Sequence, residues 1–191
     1  PFNYKKWGDA ERDNGYAIDT EKFYENVMNR YKYGGLDTPG LYLDETTMRI
    51  CYSHRRLFAQ LAKELVKQGD NARAQKVLAY AEQAIPAYNV PQVYESGSYD
   101  IATAYASIGE TGKAITLLND LISESRDYID WAFSLGDSRI EMVQRDCLYK
   151  FWQWNQCNEL LKDMDKERYK QSNQQFEEKY MRLAQLMNYQ N

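Results

Sequence analysis

A bilayer-spanning segment is the first thing this sequence lacks. No apolar run approaches the roughly 20 residues that a membrane helix requires, and the mean hydropathy is -0.76. The opening stretch PFNYKKWGDAERDNGY is equally short of the continuous apolar segment of a signal peptide. A basic excess is missing too. Lys and Arg number 24 against 28 Asp and Glu, for a net charge of -4, which argues against a general nucleic-acid binder, since such a protein needs a cationic footprint to displace condensed counterions.

Histidine and cysteine are scarce. One histidine, His54, and three cysteines without a C-x-x-C pair cannot furnish a zinc site. Cys51, Cys147 and Cys157 cannot all pair within one chain, so three thiols serving as small apolar side chains is the first reading. A Cys147 to Cys157 bridge stays open. Cys51 and His54 stand three residues apart and can touch on a helix, but no oxyanion donor accompanies them. Neither YGGLD nor GETGK has the spacing of a phosphate-binding glycine loop. Carboxylate neighbours such as Asp44 with Glu45, or Glu95 with Asp100, are expected by chance among 28 acids. No catalytic residue, metal ligand or cofactor is therefore expected.

Only four prolines and ten glycines are present, and most fall where helical patterns stop. Residues 1–19 show no period and read as an irregular lead-in. A first helix follows, capped by Asp19 or Thr20, with Phe23, Val27 and Tyr31 on one face and Gly34-Gly35 as its end. After the turn-rich connector GGLDTPGLYLDE, Asp44 or Thr46 caps a helix over about Thr47 to Gln68. Gly69 stops it, and the turn GDN leads into ARAQKVLAYAEQAI, which Pro86 closes. Farther on, Tyr128, Trp131, Ala132 and Leu135 suggest a short helix ending at Gly136. Asp137 or Ser138 caps the next, striped by Ile140, Val143, Cys147, Phe151 and Trp154. A last long helix carries Leu160, Leu161, Met164, Phe176, Tyr180, Leu183 and Met187.

The hairpin recurs after 40 residues. That shift lays Leu61 on Ile101, Ala62 on Ala102, Leu65 on Tyr105 and Gly69 on Gly109. It then carries Arg73 onto Lys113, Ala74 onto Ala114 and Leu78 onto Leu118. Register held across two helices and their turn is the mark of a stacked repeat. Small residues at matching offsets let antiparallel helices approach closely.

The spacing resembles the tetratricopeptide repeat: Phe58, Leu61, Ala62, Leu65, Ala74, Leu78 and Pro86 in the first copy, Ile101, Ala102, Tyr105, Ala114 and Leu118 in the second. The second copy departs at Ser98 and has no closing proline. The resemblance implies an all-α fold of antiparallel hairpins stacked in a right-handed solenoid, with extra capping helices at both ends. One domain spans 1–191: a lead-in helix and connector (1–43), hairpin 1 (44–86), connector and hairpin 2 (87–125), and C-terminal capping helices (126–191).

In that family the first helix of each hairpin lines a ligand groove. By register the groove presents Arg56, Ala59, Lys63 and Lys67, with Tyr99, Thr103 and Ala106 from the second hairpin. A second candidate is the cluster Arg49, His54, Arg55 and Arg56, which either binds an anion or holds the connector through Asp37, Asp44 or Glu45. The expected ligand is a protein or peptide partner. A glycan, bound by the connector tyrosines Tyr42, Tyr88, Tyr94 and Tyr99, is the alternative.

Over residues 30–150, phrases such as GGLDTPGLYLDETTMRICYSHRRLFAQLAKELVKQGD and VLAYAEQAIPAYNVP look like the C-terminal region of a family of large bacterial membrane proteins. Their N-terminal part resembles protein O-mannosyltransferase-type glycosyltransferases. The resemblance implies a soluble appendage of a membrane-anchored parent, facing the periplasm, with any sugar transfer residing in the membrane part.

Overall fold

The computed structural model describes residues 18–188, so most of the expected lead-in lies outside the described residues. Among them are seven α-helices and no β-strand. None of the helices is long and apolar enough to cross a membrane. The chain divides into two compact units, Pro1–Pro91 and Gln92–Asn191.

In the first unit, α1 (Thr20–Glu25) starts at Asp19, whose carboxylate accepts the Lys22 amide at 3.1 Å. It widens into a π-helical turn, Asn26–Arg30, closed by the Tyr31 amide on the Asn26 carbonyl at 2.9 Å. Phe23 and Val27 are buried as expected, but Tyr31 is not on their face. The wide turn spoils the 3.6-residue register, and by Tyr31 the backbone is already extended, so the helix stops short of Gly34-Gly35.

Asp44 sets the start of α2 (Glu45–Lys67) by accepting the Thr46 and Thr47 amides at 2.8 and 3.0 Å and the Thr47 hydroxyl at 2.7 Å. These bonds favour its ionised form and hold its carboxyl below the usual range. At the other end Gly69 takes a left-handed conformation. Its amide and that of Asp70 return to the Val66 and Leu65 carbonyls, the paired bonds of a Schellman stop. Asp70 then caps α3 (Asn71–Ala84) through the Arg73 amide. Phe58, Leu61, Ala62 and Leu65 of α2 interleave with Ala74, Val77 and Leu78 of α3, all without solvent exposure.

The second unit repeats the turn. α4 (Ser98–Ser107) ends at Gly109, again left-handed, with the Gly109 and Glu110 amides on the Ala106 and Tyr105 carbonyls. Ala102 and Ala114 are completely buried, as Ala62 and Ala74 are in the first unit. Ser98, where the first copy has Phe58, is buried within a hydroxyl and amide cluster with Ser96 and Gln92. The departure from the repeat thus exchanges a ring for hydrogen bonds.

Two expectations about this unit are corrected. The second helix of the hairpin and the short helix around Tyr128 are one element, α5 (Thr111–Ser134). Arg126 occupies the place that Pro86 holds 40 residues earlier, and without a proline nothing interrupts the backbone bonds. After Gly136 and a 3-10 turn at Asp137–Arg139, α6 (Ile140–Met164) takes in Leu160, Leu161 and Met164, which had been read with the last helix. The chain breaks at Asp165, whose side chain caps α7 (Lys166–Asn188) by accepting the Arg168 amide at 3.0 Å.

Phe151, Trp154, Cys147, Cys157 and Leu161 of α6 anchor this core, with Leu118, Leu121 and Ile129 of α5 and Leu183 of α7. Trp154 is wholly buried, and its indole Nε1 donates to Ser172 Oγ at 2.7 Å. That hydroxyl donates in turn to Asn158 Oδ1 at 2.6 Å. Cys147 and Cys157 lie on this one helix and are free. Ten residues of helix separate their α-carbons by about 15 Å, beyond any disulfide.

Candidate functional site

Helix α2 carries the densest group of expected binding residues. Arg49, Arg56, Lys63 and Lys67 recur at steps of seven, seven and four residues, so at about 100° per residue they fall within an arc of about 40°. All four are exposed, as are Ser53 and Gln60 between them. The stripe runs about 27 Å along the helix. The opposite face of the same helix bears Phe58, Leu61, Ala62 and Leu65, whose burial fixes which way the cations point.

Arg49 and Lys67 each pair with an acid of their own helix. Arg49 Nη2 lies 2.6 Å from Glu45 Oε1, and Lys67 Nζ lies 3.2 Å from Glu64 Oε1. The Arg49 pair is almost fully exposed, and ion pairs in open solvent contribute at most about 1 kcal/mol. Arg56 Nη2 reaches Ser53 Oγ at 3.5 Å.

Arg55 belongs elsewhere. Its side chain is only 3% exposed and points away from the stripe. Nη1 donates to the Pro91 carbonyl at 2.8 Å, and Nη2 donates to the Val90 and Ile85 carbonyls at 2.7 and 3.3 Å. Burial draws its pKa down to about 10, which leaves it charged at neutral pH. It therefore holds the turn after α3 rather than the connector carboxylates Asp37, Asp44 or Glu45. The connector is held by that turn: Asn89 Nδ2 donates to the Leu36 and Thr38 carbonyls, its Oδ1 accepts the Leu41 amide, and the Tyr88 hydroxyl donates to the Asp37 carbonyl.

Ala59 is 2% exposed and sits in the core, contrary to its expected place in a groove. It lies on the flank of α2 that turns inward. Tyr99 and Thr103 are half-buried in the second unit. Tyr99 stacks on Tyr94 at 5.1 Å with 23° between planes, and the Thr103 hydroxyl donates to the Tyr99 carbonyl one turn back, at 2.9 Å. Burial, with Asp100 contributing, raises the pKa of both Tyr94 and Tyr99.

The expected touch of Cys51 and His54 yields no activated pair. Burial pushes the Cys51 thiol up despite the guanidinium of Arg55, which disfavours the thiolate a nucleophile needs. His54 packs edge-on against Tyr31 and Tyr33, at 5.9 and 5.5 Å. Among the described residues no group of three or more His, Cys, Asp or Glu is placed to hold a metal ion. Glu95 accepts a hydrogen bond from Gln153 Nε2 at 2.6 Å and lies 3.7 Å from Lys150 Nζ.

Sequence reasoning missed two aromatic clusters. Tyr149 and Trp152 of α6, both about half exposed, stack at 5.6 Å, and Trp152 meets Tyr94 edge-on at 5.3 Å. Their three-residue spacing opposite the Phe151 stripe was a legible signal. In the first unit Tyr31, Tyr33 and Tyr80 line an open recess of about 390 Å³, and the distance in sequence between Tyr33 and Tyr80 hides it. Compared with protein-family models, with curated proteins and with solved structures, the chain matches none.

Proposed function

We propose that this chain is a non-catalytic protein-interaction module that receives an acidic, extended segment of a partner along α2. The observation that carries the reading is the four-cation stripe on one exposed helix face. The net charge of -4 does not by itself oppose this, because charges beyond about 8 Å are largely screened at physiological salt. Successive steps of seven residues space the cations about 10.5 Å apart. An acidic chain in the polyproline II conformation presents every third side chain on one face at about 9.3 Å, a close match.

The repeated hairpin supports the wider reading of a tetratricopeptide-like solenoid carried by a membrane-anchored bacterial parent with a glycosyltransferase-like part, on its periplasmic side. In that setting the module recruits an acceptor or partner protein, and any transferase chemistry stays in the parent. The recurrence of the Schellman stop and of a pair of buried alanines in each unit favours the repeated-hairpin part of that reading.

Fluorescence anisotropy with a labelled peptide bearing glutamate at every third position tests the stripe. Arg56→Glu with Lys63→Glu is expected to weaken binding at least about tenfold, and salt to weaken binding to the unaltered chain. Equal affinity of the two proteins, or no binding at low salt, rejects the reading.

A further inference from the structure

The tyrosine-lined recess of the first unit takes no part in the proposed cation stripe. It lies between the π-helical turn, the Gly34-Gly35 bend and the last turn of α3. At about 390 Å³ it falls within the roughly 300–1,000 Å³ of small-ligand sites. That volume is of the right order for one small ring.

Its chemistry narrows the occupant. Tyr33 and Tyr80 meet at 77° with centroids 6.0 Å apart, so their rings form a corner. The Tyr33 hydroxyl is turned away to donate to the Val27 carbonyl at 2.9 Å, which leaves that corner aromatic in character. Tyr31, 37% exposed, forms part of the wall. Asn29, Asp37 and Gln83 supply amide and carboxylate groups, which can bridge neighbouring hydroxyls.

Among the described residues lining the recess, Lys32 is the one cationic side chain and Asp37 the one anionic side chain. Their formal charges cancel, which favours a neutral occupant. Gly34 and Gly35 make the bend through left-handed backbone, φ 61° and 75°, and the space beside both is open. An aromatic corner, a neutral balance and a rim with both donors and acceptors fit a polyhydroxylated ring, whose C–H face packs on aromatic carbon while its hydroxyls bond outward.

We infer that this recess is a subsite for a single pyranose ring of a neutral glycan, packed against Tyr31 and the Tyr33–Tyr80 corner and hydrogen-bonded by Asn29, Asp37 and Gln83. The cation stripe of α2 contributes no residue to the lining, so the site stands whether or not an acidic partner binds.

Saturation-transfer NMR on the full 191-residue chain tests it, with the methyl glycosides of glucose, galactose and N-acetylglucosamine as probes. At least one is expected to bind with a millimolar Kd, receiving saturation at its ring C–H protons. Tyr31→Ala and Gln83→Ala, both at exposed positions, are each expected to weaken it about fivefold, the effect of losing one contact of about 1 kcal/mol. Lys170→Glu, at an exposed position of α7, is expected to leave it unchanged. Circular dichroism verifies that each variant keeps its helices. The inference is overturned if no glycoside binds up to about 50 mM, if both variants bind as the unaltered chain does, or if tetramethylammonium or phosphate displaces the sugar at equal concentration.

Discussion

The guanidinium of Arg55 and the carbonyl of Val90 meet at 2.7 Å in the interior of the first unit. Thirty-five residues separate them in sequence. The contact links the middle of α2 to the turn that follows α3, and Asn89 in that turn holds the 36–41 connector. Three segments distant in sequence thus depend on one side chain.

Arg55→Met should be strongly destabilising, because it leaves the carbonyls of Ile85, Val90 and Pro91 without their shared donor. A loss of about 3 kcal/mol is expected in urea unfolding. Arg55→Lys should recover only part of it, since an ammonium has no planar fork to divide among three acceptors.

Asn89→Asp keeps size and shape but removes both amide donors. The Leu36 and Thr38 carbonyls would then face a carboxylate in a site only 7% exposed. Limited proteolysis should cut within 36–43 markedly faster in the variant, with the α2 and α3 amides still protected in hydrogen exchange.

Arg126→Pro transfers the closing proline of the first copy to the second. Here it falls inside a continuous helix, where it deletes an amide and crowds the carbonyl four residues earlier. Destabilisation of about 3 kcal/mol is expected, read as a lower Tm. A Tm equal to that of the unaltered chain would contradict the continuity of α5.

The thiols should be inert in the folded protein. Burial alone pushes Cys157 up to about 12 and also raises Cys51 and Cys147. A thiol reagent at neutral pH is therefore expected to modify all three only after unfolding. A raised folded pKa keeps its full stabilising contribution below the ordinary thiol value and loses it as pH rises through the raised one. Stability should accordingly fall between about pH 9 and 12, and Cys157→Ser should flatten that fall.

At the acidic end, Asp44 and Asp70 are both held below the usual carboxylate range by the amides and side chains they accept from. A lowered folded pKa gives stability that is complete above the ordinary aspartate value of about 3.9 and is lost as pH falls through the lowered values. Thermal melts from about pH 5 to pH 2 should show the loss, and the double variant Asp44→Ala with Asp70→Ala should show less of it.

The four alanines were legible as close-approach positions because their offsets repeat, and all four are buried. Arg56, Lys63 and Lys67 were legible as surface cations because Phe58, Leu61 and Leu65 fix the inward face. Arg55 was not. It stands beside Arg56 in sequence, and one step of about 100° carries it from solvent to the core, where backbone carbonyls rather than acids receive it. The length of α5 was missed because a helical period around Tyr128 was read as a new element, although no breaker precedes it.

Local chemistry alone determined the elements: the caps at Asp44 and Asp70, the stops at Gly69 and Gly109, and the apolar period on each helix act within about four residues, a span the sequence displays directly. Tertiary structure decided where Arg55 goes, how the connector is held and that three tyrosines enclose a recess. Each of these joins groups some 30 to 50 residues apart. Such distances close only when the helices pack, and no local period encodes them.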